Sequence, residues 1–440
     1  MAYDAIVVGA GISGLLSALA LSKNGKKVLI IEKSKCVGGL ARSYDVDGYK
    51  VDIGPHAITA LKDGPLVTLM DKYFDIVPQF IPHENYYVRT HARFSDFPWT
   101  LKEWMLFDIL PRKDRLFLVQ AITRGAALTL TDDKALNISV HDFIGDLTLS
   151  DRTIKFIDAL CYLLTGRNAK ETPTWRMLRG SGYIEETKRG PREHFSRFIK
   201  LARHNASHNQ CYPRGGVEAI VKSAEYSLPK NMVDIRLNES VTSIHVEDGH
   251  VKGVGTSEDS YDANTVVYSG YAKYLPKLVN SDLPPSYVEN LKRIKQTTAL
   301  AIWLGLSSRA QEFNYKGSEI WFEEGKPYWA MPTSNFDPHL APMGKQLIGF
   351  AFVVEDDLKK ERKRALDTIY TALPDIERRV EMEHVQVAVP EKAAATVDCY
   401  FPSPKSPING LYLVGTDTNS NSMGITRASY SVLDCLRLMK

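Results

Sequence analysis

The sequence predicts an α/β protein: a Rossmann-like, nucleotide-binding βαβ half interrupted by an inserted α+β domain. Three observations predict it. The first 32 residues run strand, glycine turn, helix, strand. Two later stretches, near 211–268 and 409–429, return to buried strands alternating with helices. The segments between them are helical first, then mixed, and carry no comparable run of strand, glycine turn and helix. Segments 1–60, 206–275 and 405–440 are expected to build one domain, and 61–205 with 276–404 the other.

In the opening unit each residue type has a physical reason. The apolar run Ala5–Val8 reads as a buried parallel strand that breaks at Gly9. Helical spacing resumes at 15–21, and a second strand, 27–31, ends on Glu32. Gly9 permits a tight turn, Gly11 leaves room for a pyrophosphate, and Gly14 lets helix and strand pack closely. Ile12 and Ser13 begin the helix, whose end offers free N–H groups and positive dipole charge to phosphates. Glu32 stands 21 residues beyond Gly11. A carboxylate there accepts ribose hydroxyls and repels a 2′-phosphate, which disfavours NADP.

Composition excludes several function classes. Net charge is +3, from 55 basic and 52 acidic residues, and no basic run interleaves with aromatics. Nucleic acid is therefore not an expected partner. The five cysteines (Cys36, Cys161, Cys211, Cys399 and Cys435) form no CxxC pair, so neither a disulfide framework nor a zinc site is expected and a reducing cytoplasm fits. His141, His194, His204 and His208 lack ligand spacing, so no metal is expected. A strand beginning near residue 3 argues against a signal peptide, and no run of 18 apolar residues predicts a membrane span. Segment 104–130 mixes apolar residues with Arg112, Lys113, Arg115 and Arg124. That pattern suits a core helix pair or a peripheral membrane contact.

After Glu32 the chain reads Val37-Gly38-Gly39-Leu40-Ala41-Arg42-Ser43. Gly38 and Gly39 allow backbone approach to a phosphate that Arg42 can neutralise. A hairpin follows, turned at Asp47-Gly48 and closed by Asp52-Ile53-Gly54-Pro55-His56. Helices are expected at 104–110, 113–130 and 151–164. Cys211-Tyr212-Pro213-Arg214-Gly215-Gly216 precedes a helix at 217–227, then strands at 233–237, 241–246, 251–255 and 265–268. Strands at 297–306, 319–322 and 346–354 and a charged helix at 358–373 belong to the second domain. Trp321, Phe322, Tyr328 and Trp329 either pack a sheet face or line an apolar cavity. The chain closes on Leu411-Tyr412-Leu413-Val414-Gly415 and a helix opened near Met423-Gly424-Ile425.

Glu32 followed by Gly38-Gly39 and Arg42-Ser43 resembles the FAD-binding signature of the flavin amine oxidase superfamily. That superfamily includes protoporphyrinogen oxidases and phytoene-type carotenoid desaturases. Tyr212-Pro213 with Gly215-Gly216 resembles its middle motif, and Leu411 to Gly415 with Gly424-Ile425 resembles the C-terminal flavin motif of the desaturases. The resemblance implies an FAD-binding domain of the glutathione-reductase type. It adds Lys33 beside Glu32, and Leu40, Gly54, Pro55 and His56 toward the ring. It sets the backbone of Val241 on the adenine, and Gly415 and Asp417 along the ribityl chain and pyrophosphate. Met423, Gly424 and Ile425 fall at the flavin N1–C2=O edge, where a helix dipole stabilises the reduced ring. His56 is the candidate catalytic residue, orienting substrate or shuttling a proton. Lys292 and Lys295 precede a strand near which amine oxidases of the superfamily hold a lysine.

The implied function is FAD-dependent oxidation of a small, mainly apolar or conjugated molecule, with hydride leaving a C–H bond. No motif specifies the electron acceptor or the oligomeric state. No aromatic residue lies between Val414 and Ser429, where amine oxidases contribute a ring flanking the flavin. That favours desaturase or protoporphyrinogen-oxidase-like chemistry over amine oxidation. Two other classes resemble the same fold. Dissociation inhibitors and escort proteins carry prenylated proteins without flavin catalysis, and the complete glycine set argues against them. Mutases such as UDP-galactopyranose mutase use the flavin without net redox.

Overall fold

The computed structural model describes residues 3–54, 57–131, 133–145, 148–179, 209–322 and 328–439. Five strands form a parallel sheet in the order Val233–Arg236, Val28–Ile31, Ala5–Val8, Val266–Tyr268 and Leu411–Leu413. Ala5–Val8 and Val28–Ile31 are buried along their whole length, which is why they read as apolar runs without alternation. Helices Ile12–Lys23, Glu218–Tyr226 and Gly424–Leu438 cover one face through Leu15, Leu19, Val221 and Val432. The three-stranded sheet of Val241–Glu247, His250–Thr256 and Ser260–Asp262 covers the other through Ile244, Val251 and Val254.

A second, seven-stranded mixed sheet runs Val380–Ala388, Ala299–Leu306, Gln346–Val353, Tyr328–Met331, Ser318–Trp321, Tyr86–Arg89 and Phe94–Asp96. Helix Leu358–Ala372 packs on it through Ala365 and Ile369. Helix Asp151–Thr165 packs through Phe156 and Leu160. The latter begins at a Ser150 cap and ends at left-handed Gly166.

The hairpin Ser43–Val46 and Tyr49–Asp52 ties the two sheets together. Its turn has positive φ at Asp47 (49°) and Gly48 (82°), as a two-residue hairpin loop requires. Tyr49 donates to Leu306 O at 3.1 Å and to Glu381 Oε1 at 2.8 Å. Gln386 donates to Asp52 O and accepts from Gly54 N, each at 2.8 Å. A small third sheet pairs Gln210–Pro213 with Ile58–Thr59 and with Phe80–Pro82.

Some local expectations need correction. The helix expected at 104–110 is Leu101–Leu106; a Thr100–Glu103 capping box starts it earlier and the backbone leaves helical geometry at Phe107. Strand Val380–Ala388 and helix Pro65–Tyr73 were not foreseen. His194, His204 and His208 lie outside the described residues. No described helix is long and apolar enough to cross a membrane.

Candidate active site

The glycine-rich turns converge at the carboxyl ends of the parallel strands. Gly9 leaves its strand at φ 97°, and its N–H donates to Ile31 O at 2.8 Å. Gly11 caps the first helix in extended geometry, with no side chain bonding the helix end. Ile12 and Ser13 form the first turn. A Cβ at Gly14 would lie 2.0 Å from Gly9 O, so helix and strand touch backbone to backbone there. Gly11 and Gly38 form an isolated bridge, and Gly38 N–H donates to Ala10 O at 2.7 Å. A Cβ at Gly39 would stand 3.1 Å from the Gly11 Cα. The two glycine turns thus press on each other.

Glu32 ends the second strand, buried, with its carboxylate held by two N–H groups: Ala10 at 2.7 Å and Ser34 at 2.8 Å. Lys33 beside it is exposed. The chain before Val241 runs alongside, because Glu239 N–H donates to Glu32 O and Asn238 N–H to Ser34 O. Arg42 folds back onto the turn, donating to Gly39 O at 2.8 Å and touching Cys36 Sγ.

On the far side of the opening strand, Gly415 follows the last parallel strand at φ 148°. Its N–H donates to Ser431 Oγ at 2.9 Å. Asp417 is buried; Oδ2 accepts from Ala272 N–H at 2.7 Å, and Oδ1 has no hydrogen-bond partner. Burial raises its pKa above the ordinary carboxyl value, and Lys392 opposes the shift. Burial likewise lowers the Lys392 ammonium, opposed by Asp417. Lys392 Nζ donates to Ser269 O at 2.6 Å and Gly270 O at 2.9 Å, and would lie 2.7 Å from a Cβ on Gly415.

Between the seven-stranded sheet, helix Asp151–Thr165 and the start of helix Gly424–Leu438 lies a cavity of about 250 Å³. Leu40, Gly54, Met423, Gly424 and Ile425 line it, together with Ile53, Ala159, Leu163, Trp329 and Phe352. Leu40 is 41 % exposed, as expected of an apolar residue at the edge of an opening. Pro55 and His56 lie outside the described residues. Of the aromatic cluster Trp329 lines the cavity, while Trp321 and Phe322 pack in separate cores. Lys292 pairs with Glu289 and Lys295 with Glu171 and Asp398, so both serve ion pairs rather than the cavity.

Sequence reasoning missed Glu391 and Lys392. They follow the unforeseen strand Val380–Ala388, and no spacing ties them to the glycine turns. Their one local signal was that strand's opening alternation, Val380-Glu381-Met382-Glu383. Among the described residues no group of three or more His, Cys, Asp or Glu is placed to hold a metal. The described cysteines form no disulfide.

Comparison with known proteins agrees with this geometry. The chain matches the family described as flavin containing amine oxidoreductase over residues 12–429. It is 24 % identical to a chloroplastic prolycopene isomerase of Daucus carota, over 98 % of this chain and 79 % of that one. It is 24 % identical to a 1-hydroxycarotenoid 3,4-desaturase of a Flavobacterium, over 66 % of this chain and 59 % of that one. An oxidoreductase of Methanosarcina mazei shares the fold, with TM-score 0.81 and 20 % identity across 98 % of this chain and 99 % of that one. From the match over nearly its whole length, the chain belongs to the flavin containing amine oxidoreductase family and is an FAD-dependent oxidoreductase.

Proposed function

We propose that this enzyme takes hydride from a mainly apolar, conjugated substrate of the isoprenoid polyene kind, held in the cavity against the seven-stranded sheet. The carrying observation is the lining, whose exposed surface is mostly apolar, with Leu40, Ile53, Leu163, Trp329 and Phe352 among its residues. Two similar proteins named for carotenoids support the reading.

The residues present fit FAD. A Cβ on Gly11 would meet nothing within 4 Å, so open ground lies before the uncapped helix end. Gly11, Ile12, Ser13, Gly38 and Gly39 would hold the pyrophosphate by backbone N–H groups, with Arg42 beside them. Glu32 would accept the ribose hydroxyls, and the backbone near Lys33 and Val241 would border the adenosine end. The unpartnered Asp417 Oδ1 suits a ribityl hydroxyl. Half-buried Lys392 adds positive charge beside Gly415. Gly424, whose added Cβ would also meet nothing within 4 Å, lets the last helix end face the ring between Met423 and Ile425. When bound, FAD supplies the hydride acceptor; the chain orients substrate, excludes water and stabilises charge.

We further propose two bodies: 1–60, 206–275 and 405–440 hold the cofactor, and 61–205 with 276–404 hold the substrate. Exposed Met105, Leu106 and Leu116, near Arg112 and Lys113, support a peripheral contact of the second body with a lipid surface.

The purified protein is expected to show a flavin absorbance spectrum. Anaerobic mixing with phytoene in micelles tests the substrate. Loss of flavin colour with growth of longer-wavelength polyene absorbance is the expected result. A change in polyene geometry with the flavin still oxidised would indicate isomerisation, the second reading that the carrot relative favours. Bleaching by amines alone would overturn both.

A further inference from the structure

Among the described residues lining the cavity, Glu391 alone carries a carboxyl group. Its neighbours there are apolar, small or hydroxyl-bearing. Burial pushes the Tyr86 hydroxyl up to about 12 and raises that of Tyr162 further, so neither ionises. A carboxylate in a mainly apolar chamber is costly unless it is paired and hydrogen-bonded.

It is held from one side only. Oε1 accepts the N–H of Gly424, the first residue of the last helix. Oε2 stands 3.2 Å from Arg427 Nη1. That contact is an ion pair without hydrogen-bond geometry, because Nη1 donates to Ala393 O at 2.9 Å and Thr416 O at 3.4 Å. Arg427 in turn is fixed by Ser422 O, which accepts from Nε at 3.1 Å and Nη2 at 2.8 Å. Oε2 therefore has no hydrogen-bond partner, and two arginines act on the carboxylate, Arg427 at 3.2 Å and buried Arg176 through its charge.

We propose that Glu391 is the residue that moves the substrate proton. Removing hydride from one carbon forms a C=C bond only if the neighbouring carbon loses a proton. The electron pair of that second C–H bond then becomes the new π bond. Oε2 takes the proton and the carboxylate becomes a carboxylic acid. The two electrons of the first C–H bond leave with the hydride to oxidised FAD, the oxidant. In the reverse direction the same acid returns the proton. The inference deepens the reading of the cavity as a polyene site and rests on it.

Glu391→Gln keeps size and the acceptor for Gly424 N–H but cannot take a proton. Expected are wild-type FAD content, flavin spectrum and Tm. Anaerobic bleaching by phytoene micelles is expected to slow about 100-fold or more and to change its pH profile. Glu391→Ala is expected to be as slow and to recover partly with added formate, which a merely structural role would not allow. Wild-type bleaching rate and pH profile in Glu391→Gln would overturn the proposal alone. Failure of both variants to retain FAD would also overturn it, since the carboxylate would then be serving the cofactor seat. A wild type that phytoene does not bleach would overturn the parent reading and this inference together.

Discussion

His83 is nearly fully buried, its Nε2 2.9 Å from Ser318 Oγ and its ring tilted against Tyr86 at 4.8 Å. Burial pushes its pKa from 6.5 down to about 3. The unfolded chain therefore binds a proton between these values that the folded chain refuses. The stability this neutral ring carries is complete above the unfolded value and is lost as pH falls toward the folded one. One such group contributes a slope of up to about 1.4 kcal/mol per pH unit. The expected outcome is a fall in urea midpoint from pH 6.5 to 4 that is shallower in His83→Phe. An unchanged slope would assign the acid sensitivity elsewhere. At this scale a histidine in sequence is ambiguous. His83, between Pro82 and Glu84, gave no hint of burial, because burial is decided by residues as distant as Ser318 and Phe336.

The opening strand, turn and helix assign different work to glycines that look alike in sequence. Gly14 serves the fold: an added Cβ would sit 2.0 Å from Gly9 O, with no flexible side chain to yield. Gly11 serves the open ground before the helix: its φ of −64° suits any residue and nothing stands within 4 Å of an added Cβ. Gly14→Ala is expected to lower apoprotein stability by about 1–3 kcal/mol or more, measured by denaturant unfolding. Gly11→Val is expected to lower apoprotein stability less than Gly14→Ala does, by about 1 kcal/mol, the size of a lost helix cap. It is nevertheless expected to purify colourless. A yellow, fully loaded Gly11→Val would remove the cofactor from this turn. The βαβ element was legible because strand burial, turn and helix start are local requirements. Strand Val380–Ala388 was not, although it begins in clear alternation. Its inward position 386 carries a glutamine, which looks polar until Gly54 N, Asp52 O and Tyr44 Oη are seen to satisfy it.

Across the whole molecule, a mainly apolar cavity needs a route by which a water-insoluble substrate can reach it. Met105 (37 % exposed), Leu106 (66 %) and Leu116 (44 %) stand on adjoining helices beside basic residues. Co-flotation with vesicles rich in anionic lipid, weaker with neutral vesicles and lost in Leu106→Asp/Leu116→Asp, is the expected outcome. Equal behaviour of the double variant and the wild type would deny this edge a membrane role.

Read alone, the amino-acid order determined the nucleotide-binding half, the glycine turns with Glu32, and the flavin chemistry they imply. A phosphate demands bare backbone and helix N–H groups at short, fixed intervals, and short intervals survive in one dimension. Tertiary structure alone decided that Glu391 reaches Gly424 and that Lys392 reaches Gly415. It also decided that Lys292 and Lys295 serve ion pairs instead, and that Trp329 but not Trp321 faces the cavity. Those placements depend on how two sheets close over one another, through Tyr49, Gln386 and residues more than 300 positions apart. Nothing in the local spacing of a charge or a ring records which neighbours a folded sheet will bring to it.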